Sequence, residues 1–118
     1  MNLGSFTYPE KEKLKSRKLI KRIFEEGKTI KSYPVLLRYL EIDDENSKIG
    51  VSVSKRNFKR AVDRISIKRK LREAYRLNKT ELQHKKVTYA IMIIFIGRVK
   101  QPSAKLHDTV RMLLKEIT

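Results

Sequence analysis

Residues 48–78 read KIGVSVSKRNFKRAVDRISIKRKLREAYRLN, and two periods follow one another in them. Residues 48–54 alternate: Ile49, Val51 and Val53 face one way, and Gly50, Ser52 and Ser54 the other. That is the period of a strand with one buried side. From Phe58 the period lengthens. Ile67, Leu71, Ala74 and Tyr75 form one stripe, the core side of a helix predicted over 58–78, with Asn57 as its N-cap. Arg69, Arg72 and Arg76, spaced three and four apart, form a second stripe headed by Ile65. Arg64 and Lys68 lie on the flank between the two.

Outward from this unit, the rest of the chain supplies helices and strands in turn. Residues 11–27 read as a helix on Leu14, Ile20, Ile23 and Phe24, stopped by Gly27. Its other face carries Lys11, Lys13, Lys15, Arg17, Lys18, Lys21 and Arg22. Residues 33–42 read as a strand, and Asp43, Asp44, Glu45, Asn46 and Ser47 as a polar turn. With residues 48–54 this makes an expected hairpin. Residues 87–96 are nearly continuous apolar sequence, the composition of a strand buried on both faces. Residues 103–117 close the chain as a helix on Leu106, Val110, Leu113, Leu114 and Ile117. Residues 1–10 read as a loose leading segment. The expected fold class is α+β, one domain over 1–118, with helices packed on one small sheet.

The 118 residues hold 29 Lys and Arg against 13 Asp and Glu, a formal net charge of +16. Such a charge repels itself in the compact state, and an anionic partner relieves it. Nucleic acid is the first candidate, because its backbone releases condensed counterions to Lys and Arg. The entrance to the long helix points the same way. Lys55, Arg56, Lys59 and Arg60 crowd a helix N-terminus, where the macrodipole is already positive; a bound anion reverses that penalty. Phe24 and Phe58 flank basic residues, where aromatic rings stack unpaired bases. Phe58 itself reads as core.

Other classes fit less well. No apolar run is long enough to span a bilayer, no secretory h-region follows Met1, and Cys is absent, so a cytoplasmic protein without disulfides or thiolate metal sites is expected. His84 and His107 stand apart in sequence and read as exposed. The acids at 43–45 read as a solubilising turn, and no Gly-rich phosphate loop or zinc spacing occurs. No catalytic residue and no metal ligand is assigned. A structural RNA binder of the ribosomal kind shares the composition. A membrane-surface protein would want bulky apolar residues such as Trp on its basic helices.

At Gly50-Val-Ser-Val-Ser-Lys-Arg56, then Arg60-Ala-Val-Asp-Arg64 and Ile67-Lys-Arg-Lys-Leu-Arg-Glu73, the chain resembles the protein subunit of bacterial ribonuclease P. The family pattern is a glycine-containing strand ending in Ser-Lys-Lys, then a helix with Ala-Val-x-Arg-Asn-x-Ile-Lys-Arg-x-x-Arg. Phe24, Gly27 and Lys28, the strand at 89–96 and the closing helix are also similar. The resemblance implies a two-layer α/β sandwich on a small mixed sheet, with a left-handed β-α-β crossover, against the usual hand. It implies, too, that the chain binds the catalytic RNA of ribonuclease P and the 5′ leader of precursor tRNA, so that the leader is removed endonucleolytically. The catalytic centre and most of the Mg2+ then belong to the RNA, with one protein per RNA. By motif match, Arg64, Lys68, Arg69 and Arg72 are implied RNA contacts. Lys55, Arg56 and Arg60 extend the patch, and the arginine stripe adds Arg76. Phe24 is implied for the leader cleft between first helix and sheet, with Tyr39 (or, one residue out of register, Arg38) on the strand. Two positions depart from the pattern. Ile65 and Ser66 stand where the family has Asn and often Arg, and Ile65 can neither donate nor accept a hydrogen bond. Ile20 stands where the family often has an aromatic.

Overall fold

Strand 88–95 organises the molecule, because its side chains are apolar on both faces. The computed structural model describes residues 13–83 and 87–117, so the expected loose segment at 1–10, the start of the first expected helix and His84 lie outside the described residues. Within them the order is α1 (Arg17–Glu26), β1 (Lys28–Ser32), β2 (Val35–Ile42), β3 (Lys48–Val53), α2 (Ala61–Asn78), α3 (Thr80–Gln83), β4 (Thr88–Phe95) and α4 (Ser103–Glu116). The sheet runs β1-β2-β4-β3. β2 is antiparallel to both β1 and β4, and β3 is parallel to β4. The fold is therefore the expected α+β arrangement of a mixed sheet with helices, and α2 is the crossover from β3 to β4.

The expected hairpin of 33–42 with 48–54 does not form. β4 lies between the two strands, Val35 opposite Phe95 on one side and Val53 opposite the same Phe95 on the other. The reason is burial. β4 carries Tyr89, Ala90, Ile91, Met92, Ile93 and Phe95, all buried, and only a central position covers both faces. β3, with Gly50 and Ser52 on one face, suits an edge. The polar link after β2 instead crosses the start of β4. Asp44 N donates to the Thr88 hydroxyl (3.3 Å), which also lies 3.0 Å from the Asp44 carbonyl, and Tyr89 N donates to Ser47 Oγ at 3.0 Å. The hairpin that does form is β1–β2. Periodicity does not reveal β1, since Lys28-Thr-Ile-Lys-Ser32 contains a single apolar residue.

Alternation divides the core. One face of the sheet, with Val35, Leu37, Tyr39, Ile49, Val53, Ile91, Ile93 and Phe95, packs on α2 and α4 through Ile67, Leu71, Leu106, Val110 and Leu113. The predicted core stripe of α2 and that of α4 are both buried. Phe58 is buried too, its ring centroid 5.8 Å from that of Phe95. The other face carries Ala90 and Met92 under Ile23 of α1, with Leu14, Leu19, Ile20, Leu40, Ile42 and Ile94 around them.

Helix boundaries follow hydrogen bonding more than periodicity. α1 starts ten residues before Gly27, with Ser16 as N-cap: its side chain accepts from Leu19 N. Gly27 ends it in extended backbone, φ −72°. A Cβ there would collide with the Ile23 carbonyl and lie 2.9 Å from the Tyr39 carbonyl, so close approach selects the glycine. α2 begins at Ala61, not Phe58, and Asn57 does not cap it. Phe58 N closes a turn on Ser54 O (3.1 Å), while the Asn57 amide donates to the carbonyls of Ile96 and Gly97 (3.4 and 3.3 Å). Asn57 thus ties the α2 approach to the end of β4.

Candidate nucleic-acid interface

Two surfaces result from this packing, and one groove joins them. The first is the outer face of α2. Its inner face is occupied by Ile67, Leu71, Ala74 and Tyr75, so the stripe half a turn away points from the protein. Arg69 and Arg72 are exposed there and have no ion-pair partner among the described residues. Arg76 differs from expectation. Its side chain is 18% exposed and its guanidinium grips both oxygens of Glu73, through Nε at 3.0 Å and through Nη2. That contact holds the Glu73 carboxyl below its ordinary value. Arg76 therefore belongs to an ion pair at the end of the stripe.

The approach to α2 is as cationic as its sequence. Lys55, Arg56, Lys59 and Arg60 are all exposed, and Arg60 occupies the N-cap position without a side-chain cap. Arg64 is half-buried and structural in part: its Nη1 donates to the carbonyls of Phe58 and Lys59, both at 2.8 Å. Lys68 is half-buried on the flank. Arg98, in the loop after β4, lines one recess with Arg56 and Asn57. Asn57 itself forms that recess by holding Gly97, a link no periodicity could reveal. The loop is held to α2 twice more, by Lys100 Nζ to Asp63 Oδ1 at 2.6 Å and by Lys70 Nζ to the Gln101 carbonyl at 3.2 Å. The Lys100 hydrogen bond keeps the Asp63 carboxyl below its ordinary value of 3.8.

The second surface is the α1 side of the sheet. Phe24 is 49% exposed at the end of α1. Beside it lies Arg38, its guanidinium 5.5 Å from the Phe24 ring centroid. Arg38 donates to Thr29 Oγ1 (2.6 Å) and to the carbonyls of Phe24 (2.9 Å) and Ile23 (3.2 Å). These carbonyls lie near the C-terminus of α1, the negative end of its dipole. Tyr39 is not on this surface. It faces α2 and α4, buried edge-to-face on Tyr89 with centroids 5.8 Å apart. The register pairs Tyr39 with Ile91 and Arg38 with Met92, which puts Arg38 on the α1 side of the sheet and Tyr39 on the other.

The groove runs around the β3 edge. Lys13, Leu14, Lys15 and Ile20 line it on the α1 side, Gly50, Val51 and Met92 form its floor, and Arg72 reaches it from α2. Leu14 N donates to Ile49 O at 2.9 Å, so this leading segment is fastened to the strand edge. A Cβ on Gly50 would come within 3.2 Å of Leu14 and Met92.

Among the described residues no three His, Cys, Asp or Glu side chains gather as a metal site. His107, expected to be exposed, is half-buried in α4, and its carbonyl accepts from the Asn78 amide at 3.3 Å. No helix among the described residues is long and apolar enough to cross a membrane.

Comparison with known proteins agrees with this geometry. Residues 8–118 match the family model described as Ribonuclease P. A ribonuclease P protein component of Idiomarina loihiensis is 46% identical over 59% of this chain and 54% of its own length, so the chain spans about half of that relative. One from Porphyromonas gingivalis is 38% identical over 77% of this chain and 73% of its own. The fold matches the RNase P protein from Thermotoga maritima with a TM-score of 0.78 at 23% identity, over 91% of this chain and 98% of that one. With its glycine-bearing edge strand, its crossover through a basic helix and its match along nearly the whole length, the chain belongs to the ribonuclease P protein family.

Proposed function

We propose that this chain is the protein subunit of a ribonuclease P ribonucleoprotein, which it serves by holding RNA at two connected surfaces. The outer face of α2, with Arg69 and Arg72 and the entrance cations Lys55, Arg56 and Arg60, takes the catalytic RNA. The α1 side, with Phe24 set by Arg38, takes the single-stranded 5′ leader of precursor tRNA. One observation carries this reading: the groove lined by Ile20 from α1 and Arg72 from α2 makes the two surfaces continuous around the β3 edge. A polyanion can follow that path without crossing an acidic side chain of its lining.

In this reading the protein steers and the RNA cleaves. Mg2+ is held mainly by the RNA subunit, the complex contains one protein per RNA, and it acts in the cytoplasm on precursor tRNA. The chain's own contribution is electrostatic and positional. Its cations neutralise phosphates, and Phe24 offers a ring on which an unpaired base stacks. The test is reconstitution with the cognate catalytic RNA and a precursor tRNA at low magnesium. Addition of the protein is expected to restore leader removal that RNA alone performs poorly, and the protein alone to leave the substrate intact. RNA-free cleavage, or no effect of the protein on the RNA, would overturn the reading.

A further inference from the structure

The outer face of α2 is not basic along its whole length. Its first two turns present Val62, 58% exposed, and Ile65, 56% exposed. The two are three residues apart and so adjoin on the helix surface, in line with Arg69 and Arg72. Neither supports the core, which takes Ile67 and Leu71 from the opposite side. Exposed Lys59 and Arg60 lie before the pair, and Lys68 and exposed Arg69 after it. Asp63, the one acid nearby in sequence, is turned to Lys100. The result is a small apolar patch in a cationic rim.

That combination selects its occupant. A second copy of this chain would bring like-charged rims together, and no acid on the rim answers them. A phosphate-only ligand has no use for two β-branched side chains. An unpaired nucleotide has both parts, an apolar base face between two phosphates, whereas bases inside a helix hide those faces by stacking. Resting on the RNA-binding reading above, we propose that Val62 and Ile65 seat the face of an unpaired base of the catalytic RNA while Lys68 and Arg69 hold its neighbouring phosphates. On this view Ile65 contributes an apolar contact in place of hydrogen bonding.

Apolar and ionic contacts separate by salt. The double variant Val62→Ser/Ile65→Ser is expected to bind the cognate catalytic RNA about tenfold more weakly at every salt concentration. The slope of log affinity against log salt stays that of the wild type. Arg69→Ala is expected to lower the magnitude of that slope by about 0.9. Val62→Ile/Ile65→Leu keeps the patch apolar and is expected to bind within about twofold of wild type. All variants should unfold at the wild-type temperature, since both positions are exposed. Wild-type affinity in the serine variant would overturn the inference and leave the RNA-binding reading standing, as would a changed salt slope in that variant. A wild-type chain that fails to bind the cognate catalytic RNA at any salt concentration would remove the RNA-binding reading, and this inference with it.

Discussion

Arg38 sits where the strand register, the end of α1 and the Phe24 ring meet. Its Nε is buried without a partner among the described residues, and its other nitrogens reach three oxygens. Arg38→Met keeps the apolar stem and removes every donor, so the Phe24 carbonyl and Thr29 Oγ1 lose the guanidinium while the Ile23 carbonyl keeps its bond from Gly27 N. It is expected to cost roughly 1–3 kcal/mol of stability in urea unfolding, and an unchanged midpoint would show that those bonds add nothing. Gly27→Ala acts on the same corner from the backbone side. The added Cβ meets carbonyls that cannot move without shifting β2, so a loss of more than about 1 kcal/mol is expected by the same measurement. Single residues also mark where sequence reading stops. Tyr39 and Arg38 differ by one position, aromatic residues are at home on either side of a sheet, and only the pairing of β2 with β4 assigns the faces. Arg76 is legible as a member of a stripe, but its ion pair depends on a rotamer that Glu73, three residues away, makes favourable.

At the scale of the element, α2 separates two kinds of residue that sequence spacing alone already sorts. Leu71→Ala opens a cavity in the fully buried stripe and is expected to cost about 2–5 kcal/mol. Arg69→Ala with Arg72→Ala, half a turn away, is expected to leave thermal unfolding unchanged while reducing RNA affinity and lowering the magnitude of the salt slope by nearly two. A double variant that binds normally in a titration would remove these arginines from the interface. The first turn of α2 has its own signature in pH. Lys100 holds the Asp63 carboxyl below 3.8, so the bond favours the folded state above that value and the benefit fades as pH falls through the depressed one. Lys100→Met is expected to return the Asp63 titration, followed by NMR, toward its ordinary value. The stripes of α2 and α4 are readable because burial imposes a period. The start of α2 is not, because Asn57 bonds carbonyls some forty positions along the chain.

For the whole molecule, the formal charge of +16 sets two opposite responses to salt. Salt screens self-repulsion and is expected to raise the unfolding temperature of the free chain. It should weaken RNA binding, roughly 10³- to 10⁵-fold between about 50 and 200 mM if six to ten phosphates are engaged, and a flat titration would contradict so broad an ionic interface. Fold class and element order are legible for the long elements, since strand and helix periods are local. Strand order is not, because local patterns favour joining neighbours in the chain, and here burial of β4 on both faces outweighs that preference. The order β1-β2-β4-β3 also sets a timetable for the newborn chain. β2 and β3 are made early, but the strand that joins them is completed only at Phe95, after the whole of α2 has been synthesised. A ribosome paused before that point holds two strands with open inner edges and a cationic helix with no sheet beneath it. The β1–β2 hairpin has all its residues before then, but β3 has no partner in the sheet until β4 is made.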